Sequence, residues 1–372
     1  METTRRETFL GFQPPAVDED EIAAVADTLR SGWLTTGPRA AELEARMCDF
    51  LEVEHVLAVS SGTAALHLSL VALGVGPGDE VITSSLTWPA TANVIVHCGA
   101  APVFADVRED TLNLDPDRVA ELVGERTKAI LPVDLYGQPA DLDPLLELGL
   151  PVVEDAAHAA ESRYRGRKVG SIADLTCFSL YATKNIAAGE GGLIATPRDE
   201  LAAAIDDLRV MRRGHGSLYD IVVPGYKVNL SDVLASIALV QLDKVERHAE
   251  IRRRQVALYD DGLADLEGVT PVARDARDLH ANHLYVVRVT FADRDAVQRE
   301  LAEENIGTSI HFLPVHELSA YRGRLAPHQP ALPVTERAGA EVLSLPLSPA
   351  HSDDDIRDAI SAFRRVHERL AR

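Results

Sequence analysis

The residue pattern predicts an α/β protein. It consists of a large domain built on a mainly parallel sheet (residues 1–248) and a small α+β C-terminal domain (249–372). Three observations carry this expectation. Short apolar, β-branched runs alternate with helical stretches through the first two hundred residues, which puts crossover helices on both faces of a parallel sheet. A long helical pattern then leads into a segment where strands and helices mix without that regularity. Finally, 372 residues with 46% apolar content are enough for two cores.

Taken in order, Asp18–Ser31 spaces its apolar residues as a helix and stops at Gly32. The loop Trp33-Leu34-Thr35-Thr36-Gly37 precedes a helix at Pro38–Leu51, whose proline suits a first helical position. Val56–Ser60 reads as a strand, Ser61-Gly62-Thr63-Ala64 as a turn and Ala65–Leu73 as a helix. Free N–H groups and the helix dipole make such a junction an anion site. Glu80–Leu86 is a strand, and Trp88-Pro89 opens the next helix. Trp88 is either core or a platform for a planar ligand. Strands follow at Pro102–Asp106, Ala129–Val133 and Pro151–Asp155, with helices at Pro116–Val123 and Leu142–Leu148. Leu175–Tyr181 and Gly191–Thr196 are strands, and Asp199–Met211 is a helix. Ser231 caps a helix at Asp232–Lys244, and the helical pattern continues through Glu250–Leu266. In the C-terminal part, His283–Thr290 and Thr308–Phe312 read as strands, Arg294–Asn305 and Ser352–Leu370 as helices, and Ala326–Pro333 as a proline-rich loop.

One stretch carries the chemistry. Lys184 stands between the apolar run ending at Tyr181 and the glycine-dense Gly189-Glu-Gly-Gly192, where a bulky ligand approaches backbone closely. Desolvation there lowers an amine's pKa and makes it a nucleophile toward an aldehyde. A surface lysine ahead of a turn would show the same residues. Upstream, Pro151–Asp155 ends in two carboxylates, Glu154 and Asp155, at the end of a strand where open α/β sheets bind ligands. A lysine and an acid so placed suit pyridoxal 5′-phosphate (PLP): the lysine holds the aldehyde and the acid keeps the ring nitrogen protonated.

The net charge of −21 and a pI near 5.0 repel nucleic acid and anionic membranes. A polyanionic substrate would need local positive charge, for which Arg209–His215 and Lys227 are candidates; a solvated helix end is the other reading. Cys48, Cys98 and Cys177 lack metal spacing and read as buried thiols of a reducing compartment. No signal-like or membrane-spanning apolar run is present, so a cytoplasmic protein is expected.

These motifs together resemble the DegT/DnrJ/EryC1/StrS sugar aminotransferases of PLP fold type I, which are aspartate aminotransferase-like. The likeness runs through Ser31–Gly37, Ser60–Ala64, Glu154–His158, the Lys184 block, Gly225–Ser231 and Ile306–His311. The resemblance implies a PLP-dependent aminotransferase. Its substrate would be a nucleotide-diphosphate keto sugar, with L-glutamate/2-oxoglutarate as the amino donor pair. Lys184, Asp155 and His158 would be catalytic, Asp155 being chosen over Glu154 by the family pattern. Gly62, Thr63, Ala64, Ser179 and Asn229 would bind the cofactor phosphate, and Trp88 and His158 would face its ring. Trp33, Thr35, Lys227 and His311 would meet the sugar nucleotide, with His316 a weaker candidate. Asn229 would cross the interface of a homodimer with shared active sites. Pro224–Asp232 resembles relatives that aminate a 4-keto position, such as the enzyme making UDP-4-amino-4-deoxy-L-arabinose, although Gly62 stands where that enzyme has alanine. Relatives that dehydrate sugars carry histidine in place of the lysine, so Lys184 argues against that branch. A non-catalytic regulatory binder is the third class, and its DNA-binding form does not suit this charge.

Overall fold

The computed structural model describes residues 5–211, 220–323, 325–326 and 328–371. The strands are β1 (His55–Val59), β2 (Glu80–Ser84), β3 (Ala101–Ala105), β4 (Thr127–Leu131), β5 (Val153–Asp155), β6 (Arg163–Tyr164), β7 (Arg167–Lys168), β8 (Leu175–Ser179), β9 (Gly192–Thr196), β10 (Val269–Pro271), β11 (Tyr285–Val289) and β12 (Val342–Leu345). The helices are α1 (Glu19–Ser31), α2 (Pro38–Leu51), α3 (Gly62–Ala72), α4 (Ala90–His97), α5 (Pro116–Leu122), α6 (Leu142–Leu146), α7 (Asp199–Val210), α8 (Asp232–Leu263), α9 (Arg294–Glu303), α10 (Pro333–Glu341) and α11 (Asp353–Leu370).

Two strand sets, β3-β2-β4 and β5-β8-β9-β1, join through parallel bridges at Ile130–Val152 and Val133–Asp155. The result is one seven-stranded sheet, parallel except for β9. That exception follows from the connection, because residues 180–191 fold back without forming a crossover helix. The loop is closed at its neck: Leu180 N–H donates to Gly191 O at 2.9 Å, and Ala188 N–H donates to Leu180 O at 2.8 Å. Lys184 lies on this loop.

The second sheet, β10-β11-β12, is antiparallel and packs with α9 and α11. Its core includes Val287, Leu343, Ile356 and Phe363, together with Leu10 from the start of the chain. The continuous α8 serves both cores, through Ala235, Leu239 and Leu242 on one side and Val256, Tyr259 and Leu263 on the other. The sequence pattern had suggested two helical stretches here, and the domain division expected at 248/249 falls inside the helix. A charged middle resembles a helix end, but Lys244 is buried against Glu21 at 2.8 Å.

Other expectations need correction. Helix α3 begins at Gly62, so Gly62, Thr63 and Ala64 form its first turn and not the turn before it. Thr308–Phe312 is not a strand. Only Ser309 pairs, with Ser344, and the His311 carbonyl then accepts a hydrogen bond from Tyr136 of the larger domain in place of a ladder partner. The third strand is instead β12. Cys48 and Cys98 are half-buried and only Cys177 is buried; all three are free. Arg212, Arg213 and His215 lie outside the described residues. No helix among the described residues is long and apolar enough to cross a membrane.

Close packing at the first turn of α3 yields a test. A Cβ on Gly192 would sit 2.4 Å from the Ser61 carbonyl oxygen, so backbone must shift to admit it. Gly192→Ala should lower unfolding stability by ~1–3 kcal/mol in urea, as overpacked sites do. Gly76→Ala, with nothing within 4 Å of the added carbon, should stay near wild type.

Candidate active site

The C-terminal ends of β5 and β8, the first turns of α3 and α4 and the lysine loop converge on a cleft of about 460 Å³. His283 and residues 309–312 close it from the C-terminal part of the chain. This is the position that a parallel sheet offers ligands.

Lys184 lines the cleft, anchored by its N–H to Tyr181 O at 2.8 Å. Burial pushes its amine down to about 8, while the Asp155 carboxylate works in the opposite direction. Among the described residues it has no ion pair within 4 Å. Asp155 lies at the end of β5 and also lines the cleft. Burial pushes its carboxyl up, and three groups counter that effect. Thr91 Oγ1 donates to Oδ2 at 2.8 Å, Ala157 N–H donates to Oδ1 at 3.2 Å, and the Lys184 charge adds a favourable field. Hydrogen bonds to the charged form are how a buried acid stays ionised.

Glu154 points away, as strand alternation requires. It accepts from Thr176 Oγ1 at 2.8 Å and does not line the cleft.

The N-terminus of α3 meets β8 where Gly62 and Ser179 touch. A Cβ on Gly62 would lie 3.0 Å from Ser179 Cβ. Ser61 caps the helix by accepting from Ala64 N–H at 3.0 Å, and the first-turn N–H groups have no helical acceptor behind them. Ser61, Gly62, Thr63 and Ser179 all line the cleft, and Ala64 sits in the same turn. Trp88 lines it too, 64% exposed, with Phe312 as its ring neighbour at 6.2 Å. His158 is buried and packs its ring against His283, tilted by 30° with centroids 4.4 Å apart. Burial, with the Lys184 and His311 charges, holds His158 well below the usual histidine range. His311 reaches the cleft, is pushed down to about 4 by burial and by Lys184, and pairs its Nδ1 with Ser344 Oγ at 2.8 Å.

Four other candidates gather elsewhere. Asn229 bonds Thr36 Oγ1 and Lys227 Nζ, Thr35 O accepts from Asp232 N–H, and Trp33 Nε1 donates to Thr36 O. None of Asn229, Lys227, Thr35 and Trp33 lines the cleft of its own chain. His316 is also absent from it, its Nδ1 bonded to Ser85 Oγ at 2.7 Å. Sequence reasoning missed Thr91, His283 and Phe312. Thr91 carried a faint signal, one helical turn after Trp88; the other two carried none.

The sequence matches the DegT/DnrJ/EryC1/StrS aminotransferase family over residues 15–364. The chain belongs to that family. It is 41% identical to the spore coat polysaccharide biosynthesis protein SpsC of Bacillus subtilis (strain 168), an alignment covering 97% of this chain and 98% of SpsC. Among solved structures it is similar to Spr1654 from Streptococcus pneumoniae in its PLP form: TM-score 0.93, 35% identity, 97% and 99% coverage. It is similar also to DesI in the presence of its TDP-sugar product, with TM-score 0.90, 36% identity and coverage of 98% and 94%. The fold is therefore PLP fold type I, the protein is an aminotransferase, and its cofactor is pyridoxal 5′-phosphate.

The residues present fit that cofactor. A depressed amine suits the aldehyde, a buried carboxylate held by two donors suits the ring nitrogen, and the Gly62–Ser179 junction leaves backbone bare for a phosphate.

The depressed amine gives a pH prediction. A lysine at 10.5 would be neutral in roughly one molecule in three hundred at pH 8, whereas Lys184 is neutral in about half. The rate at which cofactor-free protein captures added PLP, followed by visible absorbance, should rise with pH and level off above about 8. Asp155→Asn removes the charge that raises Lys184 and should move that midpoint lower.

Proposed function

We propose that this aminotransferase moves an amino group from L-glutamate to the 4-keto position of a nucleotide-linked sugar, in the cytoplasm, as a homodimer with shared active sites. The observation that carries the transfer chemistry is a buried lysine in one cleft with a buried, donor-stabilised carboxylate at the mouth of a parallel sheet. The sugar-nucleotide assignment draws on DesI, solved with a TDP-sugar product, and on the polysaccharide pathway in the name of SpsC. The 4-keto position is supported by the resemblance of Pro224–Asp232 to relatives acting there. Three free thiols suit a reducing compartment.

When bound, PLP supplies a sink for the electrons left at the donor's α-carbon. Asp155 would hold the protonated ring nitrogen, with Thr91 and Ala157 N–H keeping its carboxylate charged. The first turn of α3 and Ser179 would hold the phosphate. Lys184 Nζ, in its neutral form, would take up the donor's α-proton and redeliver it. His158 stays uncharged, so Lys184 remains the titrating cation facing the reacting atoms.

The cleft's described lining contains no arginine, and Lys184 is its one lysine. A substrate diphosphate therefore requires charge from elsewhere. Lys227 and Asn229 sit on an exposed loop near Ile221, Val222 and Tyr226, with Trp33 and Leu34 close by. Exposed apolar groups around polar ones are the composition of an interface, and a second copy would cover them.

Lys184→Ala should lose PLP capture and turnover while keeping the fold; retained transamination would remove the foundation of this reading. A screen of UDP-, dTDP- and GDP-linked 4-keto and 3-keto sugars, with glutamate as donor, tests the substrate. Mixing inactive Lys184→Ala chains with an inactive Asn229 variant should restore activity in the heterodimer, which has one intact site. Proven subunit exchange without recovery would assign Asn229 to its own chain.

A further inference from the structure

Behind the lysine loop, buried polar side chains run from α8 to the cleft. Arg252 Nη1 lies 3.2 Å from Glu161 Oε1, and both side chains are almost fully buried. Both Glu161 oxygens accept from Asn185 Nδ2, at 3.0 and 2.9 Å, and the Ala281 carbonyl accepts from the same nitrogen at 3.1 Å. A carboxylate and a carbonyl only accept, so the Asn185 amide is fixed with Oδ1 toward His283. His283 Nδ1 lies 2.9 Å from that oxygen and must carry the proton. Burial, together with His158, Lys184, Arg252 and His311 around it, holds the ring well below the usual histidine range and keeps it neutral. A neutral ring protonated on Nδ1 has a bare lone pair on Nε2. No described group bonds Nε2, and it is not among the sealed polar atoms without partners. His283 lines the cleft, so its free nitrogen is open to a ligand.

We propose that His283 is a further cofactor-contacting residue whose Nε2 accepts a hydrogen bond from an N–H or O–H of the cofactor, and that Asn185, Glu161 and Arg252 are the positioning residues fixing its tautomer. The contact rests on the PLP reading, whereas the tautomer does not. Arg252 is the keystone. Burial pushes the Glu161 carboxyl up and Arg252 opposes that. A protonated Glu161 could donate to Asn185 Oδ1; the amide would then turn its Nδ2 toward His283 and reverse the tautomer. His158 is set the other way, since its Nδ1 accepts from Tyr136 N–H at 3.3 Å and leaves Nε2–H as donor. Two rings 4.4 Å apart thus offer the cleft one donor and one acceptor.

The test uses two-bond proton–nitrogen spectra of cofactor-free protein labelled with ¹⁵N-histidine, His283 being assigned by its loss in His283→Gln. At pH 7.5 it should be protonated on Nδ1 alone. Adding pyridoxamine 5′-phosphate should shift Nε2 upfield. An Nε2–H tautomer, an imidazolium or an unmoved Nε2 would overturn the proposal. Arg252→Met, if folded, should show a mixed or reversed tautomer, and an unchanged one would remove the positioning role. His283→Asn keeps a partner for Asn185 but has no Nε2. It should hold pyridoxamine 5′-phosphate about tenfold more weakly, the loss expected for one hydrogen bond to a bound ligand. Unchanged retention would overturn the contact. Failure of Lys184 to capture PLP would instead strike the aminotransferase reading, leaving the tautomer result intact.

Discussion

Desolvation of one amine is the constraint on which the rest depends. A chain with a net charge of −21 favours protonated lysines, yet burial pushes the Lys184 amine down to about 8. The lysine lies on a loop closed at its neck, between β8 and the one strand, β9, that runs against the others. The fold also keeps carboxylates at a distance. Asp155 is close enough for its field to act on the amine, but it forms no ion pair with it, so it moderates the depression without cancelling it. A direct salt bridge would hold the lysine charged.

The same constraint explains the histidines. His158, His283 and His311 line the cleft, and each is held neutral by burial and by the lysine's own charge. They surround the amine with polar groups that add no competing cation. Fixing neutral rings requires partners further out, which is where α8 enters. It begins beside Asn229, is capped by Ser231, and twenty residues along carries Arg252 to the Glu161–Asn185 clamp. One rigid element therefore spans from the proposed intersubunit loop to the residue next to the lysine.

What could be read from the sequence follows the range of the interactions. Lys184, the carboxylate pair at 154 and 155 and the strand-to-helix junction near Gly62 were marked by local signals, namely strand ends, glycine density and a helix start. The choice of Asp155 over Glu154 came from the family resemblance. His283 was not so marked, since it acts on Asn185 across 98 positions and no short-range pattern marks either residue. The final small strand, Val342–Leu345, is four residues long with a buried serine, too short for alternation to show. The first helical stretch read from the sequence ends at Lys244, yet Lys244 and His248 are buried within the continuous α8. Asn229 carried a family expectation, but its own-chain contacts with Thr36 and Lys227 had no trace in the sequence.

The adjacent carboxylates at 154 and 155 show how environment divides roles between identical chemistry. Alternation along β5 sends them to opposite faces. Asp155 meets a hydroxyl, a backbone N–H and a nearby amine, all of which favour its charged form. Glu154 meets Thr176 and the buried Asp134, and burial pushes its carboxyl up to about 7. Asp134 is raised as well, by burial first and by Glu154 second, so this pair sheds charge behind the sheet. A second full charge there would raise the pKa of Asp155 through the same strand and weaken its claim on a protonated ring nitrogen. The charged form of Asp155 is therefore favoured twice: by donors on its own face, and by a neighbour on the other face that is itself pushed toward neutrality.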